Sequence, residues 1–118
     1  MCGAEVKPLP EGVLRVATVL REAGHPHAPV MLDDAARTAQ QAADALGVAL
    51  GQIAKSIIFR RKADDVAVLV ITSGDRRVDE KKVEAHVGKI GRADAEFVKA
   101  RTGFSIGGVA PIAHATKP

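Results

Sequence analysis

IAKSIIF, residues 53–59, sets one lysine inside a run of residues that favour a buried β-strand. Successive side chains of an extended strand point to opposite faces, so Lys55 shares its face with Ile53, Ile57 and Phe59. A lysine there could protect an edge strand against aggregation, or its aliphatic stem could lie along the sheet with the ammonium group in water. Alternatively, it projects into a cleft and holds an anionic or carbonyl-bearing ligand. The strand alone leaves these interpretations open.

The composition is that of an ordinary globular protein. The chain has 118 residues, of which 47% are hydrophobic and 26% are charged, so we expect one domain spanning residues 1–118. No apolar run approaches the roughly 20 residues of a membrane-spanning helix. The N-terminal residues lack the basic-then-apolar order of a secretory signal. These features predict a cytoplasmic protein without a membrane partner.

Cysteine and histidine usage argues against metal binding. The single cysteine, Cys2, excludes an internal disulfide and a thiolate-rich metal site. His25 and His27 have no acidic or histidine partner at the spacing of a ligand set. We therefore expect neither a metal nor a cofactor. His86 falls in a helical pattern and His114 in a glycine- and proline-rich region, and we expect both to be solvated.

The charge balance indicates a mild preference for polyanions. The formal net charge is +3 and the isoelectric point is about 9.3, which is less than the dense basic stripe of a dedicated nucleic-acid binder. The chain has no Trp or Tyr and only three Phe, so base stacking on aromatic platforms is disfavoured. Any contact with RNA is expected to use phosphates and shape.

Apolar spacing and capping residues predict an α+β fold. Helices are expected over residues 10–23, 39–46, 80–87 and 95–101, the last three capped by Thr38, Asp79 and Asp94. Thr38 to Gln41 matches a capping box. Antiparallel strands are expected over residues 53–61 and 66–72, with the apolar run VAVLVIT as the central strand. Short extended segments are expected at residues 27–32 and 89–92.

A glycine pair, Gly107-Gly108, followed by Pro111, is the second unusual feature. Adjacent glycines allow positive φ and close approach of a ligand to the backbone amides. Pro111 restricts Ala110 to an extended conformation. Such a loop can direct N–H groups at a negatively charged oxygen. The pair could equally be a plain tight turn.

Four ordered stretches together resemble the YbaK/ProX-type aminoacyl-tRNA deacylases, which include the editing domain attached to or found beside prolyl-tRNA synthetase. These stretches are TAQQAADALGV, GQIAKSIIF, VLVITSGDRRVDEKKV and TGFSIGGVAP. The resemblance implies a mixed, partly barrel-like sheet flanked by helices. It also implies hydrolysis of amino acids wrongly attached to tRNA, commonly tRNA(Pro). The implied partners are the 3′ end of aminoacyl-tRNA and prolyl-tRNA synthetase.

The same resemblance implies a set of site residues. Lys55 and Gly107 line the pocket, and Gly108 and Pro111 complete the loop. Thr38 matches a position in the pocket wall, although it could equally be only a helix cap. We therefore expect Lys55, Gly107 and Gly108 to be catalytic, and Thr38 and Pro111 to bind substrate.

Members of this family usually continue for some tens of residues beyond the glycine loop, whereas this sequence stops at Pro118. We accordingly expect a C-terminally truncated domain that lacks the usual last strands and the acidic pocket residue they carry. The edge left exposed could be covered by a second copy in a homodimer.

Cleavage of an aminoacyl ester requires a held carbonyl, stabilisation of the oxyanion and an activated nucleophile. The amides of Gly107 and Gly108 suit the second role, and Lys55 can hold the terminal phosphate or ribose as a fixed charge. No Ser-His-Asp arrangement is legible, so the nucleophile is water or a ribose hydroxyl of the substrate. Three functions stay open: a trans-acting editing deacylase, a non-catalytic module that binds tRNA or a synthetase, and a small-molecule-binding regulatory domain.

Overall fold

The computed structural model describes residues 11–32 and 38–118, which fall into two compact units divided after Val30. The single domain expected over residues 1–118 stays a prediction, because this division does not establish that either unit folds alone.

The first unit consists mainly of helix α1, Glu11–Glu22, which confirms the amphipathic helix predicted there. Gly24, at φ +76°, follows the helix, and its N–H donates to the Arg21 carbonyl at 3.0 Å. The proposed first-turn proline, Pro10, lies outside the described residues. Residues 27–32, predicted to be extended, form no strand.

The second unit carries the sheet and the remaining helices. In chain order it contains α2 (Ala39–Leu46), a 3-10 turn (Leu50–Gln52), β1 (Ala54–Arg61), β2 (Ala67–Ser73), α3 (Glu80–Val87), β3 (Ile90–Arg92) and α4 (Ala95–Thr102). The α+β class is confirmed.

Local hydrogen bonds fix the ends of these helices. Thr38 Oγ1 accepts the Gln41 N–H at 3.1 Å, and the Gln41 side chain accepts the Thr38 N–H at 3.2 Å, which confirms the capping box. Asp79 and Asp94 cap α3 and α4 through their carboxylates, as predicted. Gly47 ends α2 in the left-handed region at φ 68°.

The turn between β1 and β2 is held by two arginine–aspartate pairs. Arg61 donates to both carboxylate oxygens of Asp64, at 2.8 and 2.7 Å, and Arg60 pairs with Asp65. The hydrogen bond from Arg61 lowers the pKa of Asp64, and the same bond raises the pKa of Arg61. Neighbouring positions of the strand thus reach one turn from opposite faces of the sheet.

The sheet of the described residues has the order β2-β1-β3, with both pairings antiparallel. The prediction that β2 is the central strand was therefore wrong: β1 is central and β2 lies at an edge. The cause is the return of the chain through α3, which brings β3 onto the free edge of β1, where Phe59 pairs with Arg92. The mixed sheet implied by the resemblance is likewise not seen among these residues, because a short turn joins β1 to β2 and permits only antiparallel pairing.

The core lies on one face of this sheet. Ile58, Ala67, Ala93 and Val98 form a buried cluster, on which Leu69, Phe97 and Val109 pack. Ile58 and Leu69 are cross-strand partners, so both project toward α4. The opposite face carries Lys55, Ile57 and Phe59, which are all half-buried. The face that looked more apolar in the sequence is therefore not the one that forms the core.

Candidate functional site

The glycine loop after α4 is built around a tight turn. Gly107 has φ +83°, a conformation that favours glycine, so the positive φ predicted for this loop is confirmed there. The Gly108 N–H donates to the Ser105 carbonyl at 2.8 Å and closes the turn. No acceptor for the Gly107 N–H is found within residues 11–32 and 38–118. Of the two amides, that of Gly107 is the one open to a ligand.

The base of the loop is anchored in the core. Thr102 is fully buried, and its hydroxyl donates to the Val98 carbonyl at 2.7 Å and accepts the Phe104 N–H at 3.0 Å. Phe104 is 7% exposed and enters the protein interior at the start of the loop. The loop therefore starts from a fixed point at the end of α4.

The far end of the loop is held by His114, which we expected to be solvated. That expectation was wrong. The His114 Nε2–H donates to the Ala110 carbonyl at 2.6 Å, and its ring meets the Phe104 ring edge-on with centroids 5.7 Å apart. Backbone bonds from Ala115 and Thr116 to the end of α4 bring the chain back and half-bury the imidazole. No periodicity or spacing in the sequence signals this return.

A half-open cavity of about 360 Å³ lies between β1 and the glycine loop. Its lining comprises Ser56, Ile57, Ile58, Phe59, Glu80, Arg92, Ala93, Val98, Ile106, Gly107 and Val109. The walls are mainly aliphatic, while a hydroxyl, a carboxylate, a guanidinium and the Gly107 backbone supply polar groups. This composition is typical of a small-ligand site, in which a few polar groups orient an otherwise apolar ligand.

Lys55 borders this cavity along the chain but projects to the other face of the sheet. It pairs with Thr72 across the strands, and its Nζ donates to the Arg76 carbonyl at 3.0 Å. The neighbouring Ser56 lines the cavity. The structure therefore places the lysine and the glycine loop at adjacent positions of β1 but on opposite sides. Among the explanations for Lys55, the edge-strand guard is excluded, because β1 is the central strand.

The loop that receives Lys55 is itself tightly tied to the 3-10 turn. Ser73 Oγ donates to the Gly51 carbonyl at 2.9 Å, and the Gly74 N–H donates to the Ile53 carbonyl at 2.6 Å. A Cβ at Gly74 would lie 2.6 Å from the Leu50 carbonyl oxygen, so no side chain fits there. The Arg76 carbonyl is thus held at a defined place beside Lys55.

The two predicted substrate-binding residues are both exposed. Thr38 is the N-cap of α2, and Pro111 follows the Ala110 carbonyl that His114 holds. Neither belongs to the lining of the cavity as described. Their binding roles stay predictions. Sequence reasoning missed three polar lining residues, Ser56, Glu80 and Arg92; only the position of Ser56 opposite Lys55 could have been inferred, from strand alternation.

Comparison with known proteins accounts for this arrangement. A family model described as the aminoacyl-tRNA editing domain matches residues 33–118. The chain belongs to this family. A solved structure of a candidate trans-editing enzyme for prolyl-tRNA synthetase shares its fold, with a TM-score of 0.83 and 39% identity. The match covers 92% of this chain and 69% of that one.

Two curated relatives extend the comparison. The uncharacterized protein YwhH of Bacillus subtilis (strain 168) is 40% identical over 82 residues, which are 69% of this editing domain and 52% of YwhH. The proline–tRNA ligase of Thermosipho africanus (strain TCF52B) is 33% identical over 78 residues, which are 64% of this chain and 14% of the ligase. The chain thus spans about half the length of YwhH and matches a small part of the ligase.

Within the described ranges, no helix has both the length and the apolar character needed to cross a bilayer. Among the same residues, no group of three or more histidine, cysteine or acidic side chains is placed to hold a metal ion.

Proposed function

We propose that this editing domain is a trans-acting hydrolase that deacylates mischarged aminoacyl-tRNA, with a wrong small amino acid on tRNA(Pro) as its substrate. The observation that carries the proposal is the Gly107 backbone, which lines an aliphatic cavity of about 360 Å³. Membership of the editing-domain family supports the reaction class. The relatives connected with prolyl-tRNA synthesis support the choice of tRNA.

The cavity suits the amino acid half of such a substrate. Its volume lies near the lower end of the roughly 300–1,000 Å³ of ligand pockets, which favours a small aminoacyl group. Ile58, Val98 and Val109 supply an apolar wall for the side chain. The ester carbonyl then lies toward the loop, where the Gly107 N–H stabilises the negative charge that develops on its oxygen.

Gly108 has a different role in this proposal from Gly107. Its N–H already donates to the Ser105 carbonyl, so it closes the turn that holds Gly107 at positive φ. Gly107 is the donor, and Gly108 and the His114–Ala110 bond keep that donor in place.

Lys55 acts as a mobile charge on the RNA side. In the structure its ammonium group is bound to the Arg76 carbonyl. A hydrogen bond of this kind contributes only about 1 kcal/mol net, so exchanging the carbonyl for a substrate phosphate costs little. Lys55 then orients the terminal nucleotide and, with it, the ester.

In the reaction, an oxygen nucleophile attacks the ester carbonyl carbon, the bond to the ribose oxygen breaks, and that oxygen takes up a proton. Ser56 and Glu80 are the polar lining groups that could hold a water molecule. The alternative nucleophile is the adjacent ribose hydroxyl of the substrate. A tRNA ending in 2′-deoxyadenosine separates the two, because only the water route survives the loss of that hydroxyl.

The decisive experiment measures hydrolysis of tRNA(Pro) charged with Ala, Cys, Ser or Pro. We expect the wild-type domain to cleave a mischarged species and to spare Pro-tRNA(Pro). Lys55→Ala should abolish cleavage, while Lys62→Ala, which removes the same charge just beyond the other end of β1, should not. Melting curves establish that both variants are folded. Binding of tRNA without hydrolysis would replace the deacylase with the non-catalytic binding module, and full activity in Lys55→Ala would remove Lys55 from the mechanism.

A further inference from the structure

A second cavity, of about 310 Å³, gathers charges that are far apart in the sequence. Its lining comprises Arg60, Asp65, Arg92, Asp94, Phe97 and Arg101. Three guanidinium groups from β1, β3 and α4 therefore meet two carboxylates. We refer to Arg60, Arg92 and Arg101 as the arginine cluster.

Both carboxylates in this cavity are already engaged. Asp65 pairs with Arg60, and Asp94 accepts the Phe97 N–H at 2.8 Å as the N-cap of α4. Arg101 lies over the Phe97 ring at 4.8 Å. Neither Arg92 nor Arg101 forms an ion pair with any residue that the structure describes. The cavity thus retains positive charge that the protein itself does not neutralise.

Arg92 connects this cavity to the candidate active site, because it lines both. A ligand whose end occupies the aliphatic cavity would therefore extend past Arg92 toward Arg60 and Arg101. Guanidinium groups bind phosphate oxygens through paired N–H donors and are less strongly hydrated than ammonium groups. The ligand indicated by this geometry has an uncharged or weakly charged end and an anionic chain behind it.

We propose that the arginine cluster binds backbone phosphates of the RNA strand whose aminoacylated end enters the neighbouring cavity. The assignment rests on the proposed function, which supplies an RNA substrate. It locates the phosphate contacts that the modest net charge of +3 left without a place. An acidic segment of a protein partner would satisfy the charges alone, but it would not explain why Arg92 is shared with the aliphatic cavity.

The test exploits two neighbouring arginines on opposite faces of β1. Arg60 and Arg61 each pair with an aspartate of the same turn, but only Arg60 lines the arginine cavity. Arg60→Gln and Arg61→Gln therefore carry the same charge change and a comparable loss of an ion pair. Arg92→Gln is the third variant, and it breaks no ion pair among the described residues. Thermal melting of each variant establishes that the fold is retained.

The probe is an uncharged acceptor-stem RNA hairpin ending in CCA, titrated by fluorescence anisotropy over a series of KCl concentrations. We expect Arg60→Gln and Arg92→Gln each to weaken binding about tenfold at low salt, the scale of one charge-assisted contact. Each should also reduce the slope of log K against log [salt] by about 0.7–0.9, the contribution of one phosphate. Arg61→Gln should leave the slope unchanged.

Equal losses in Arg60→Gln and Arg61→Gln would overturn the proposal in favour of diffuse charge attraction. An unchanged slope in Arg92→Gln would overturn it as well, as would displacement of the RNA by polyglutamate at equal charge concentration. Because this RNA carries no amino acid, failure of deacylation does not affect the result. Conversely, hydrolysis of mischarged tRNA with an unaltered KM in Arg92→Gln would refute the phosphate site while the deacylase stands.

Discussion

Replacing Gly107 by alanine should separate the conformational role of the glycine loop from its chemical role. At φ +83°, an alanine pays roughly 1–2 kcal/mol for the left-handed region. A Cβ built there meets nothing within 4 Å, so no packing clash adds to that cost. The reduced entropy of the unfolded chain offsets about 0.4–1 kcal/mol. The net loss of unfolding free energy is therefore about 1 kcal/mol.

Gly108→Ala is the matched control for this change. Gly108 does not lie in the positive-φ region, and its Cβ would be 3.6 Å from the Ser105 carbonyl oxygen, an ordinary contact distance. Its amide is already used within the turn. We expect Gly108→Ala to change stability by less than about 0.5 kcal/mol and to leave the hydrolysis rate close to wild type.

The assay combines urea unfolding with single-turnover hydrolysis of mischarged tRNA(Pro) well below the melting temperature. For Gly107→Ala we expect a melting temperature lower by about 4 °C. Because a side chain at this position obstructs the ester or moves the amide, the rate should fall by about 10²–10³, the scale of losing an oxyanion donor. A variant that shows the stability loss but hydrolyses at the wild-type rate would refute the reasoning and reduce the glycine pair to a tight turn. Equal rate losses in the two variants would show that the turn opens and that both amides act.

Three further predictions concern the scaffold. Thr38→Ala should lower the unfolding free energy in urea by about 1 kcal/mol, whereas Thr38→Asn keeps the cap; an altered KM in the stable Thr38→Asn variant would assign Thr38 to the pocket wall rather than to the cap alone. Asp64→Asn should lower the melting temperature at pH 7, and this deficit should vanish as the pH falls through the lowered pKa of Asp64, because protonation then removes the Arg61 pair in the wild type too; a deficit that persists at pH 2 in calorimetry would contradict that account. Val98→Ala, at a side chain only 1% exposed, should cost about 2 kcal/mol of unfolding free energy, and a loss below 0.5 kcal/mol would show that Val98 is not a core residue.

The sequence by itself determined the features that depend on neighbours a few residues away. The caps at Thr38, Asp79 and Asp94 could be predicted because the accepting side chain and the N–H lie within one turn of helix. The β1–β2 hairpin followed from two apolar runs around a polar turn. Strand alternation likewise separated Lys55 from Ser56.

The tertiary structure alone decided which strand is central, which face is buried and which charges meet. The IAKSIIF stretch offered Ile53, Ile57 and Phe59 as the apolar face, but α4 packs on the side of Ile58, and that contact is not encoded within the strand. The same long-range packing buries His114 against Phe104. It also brings the arginines of β1, β3 and α4 to one cavity. Each of these outcomes depends on pairing and packing between segments far apart in the chain, whose energies no local pattern of residues contains.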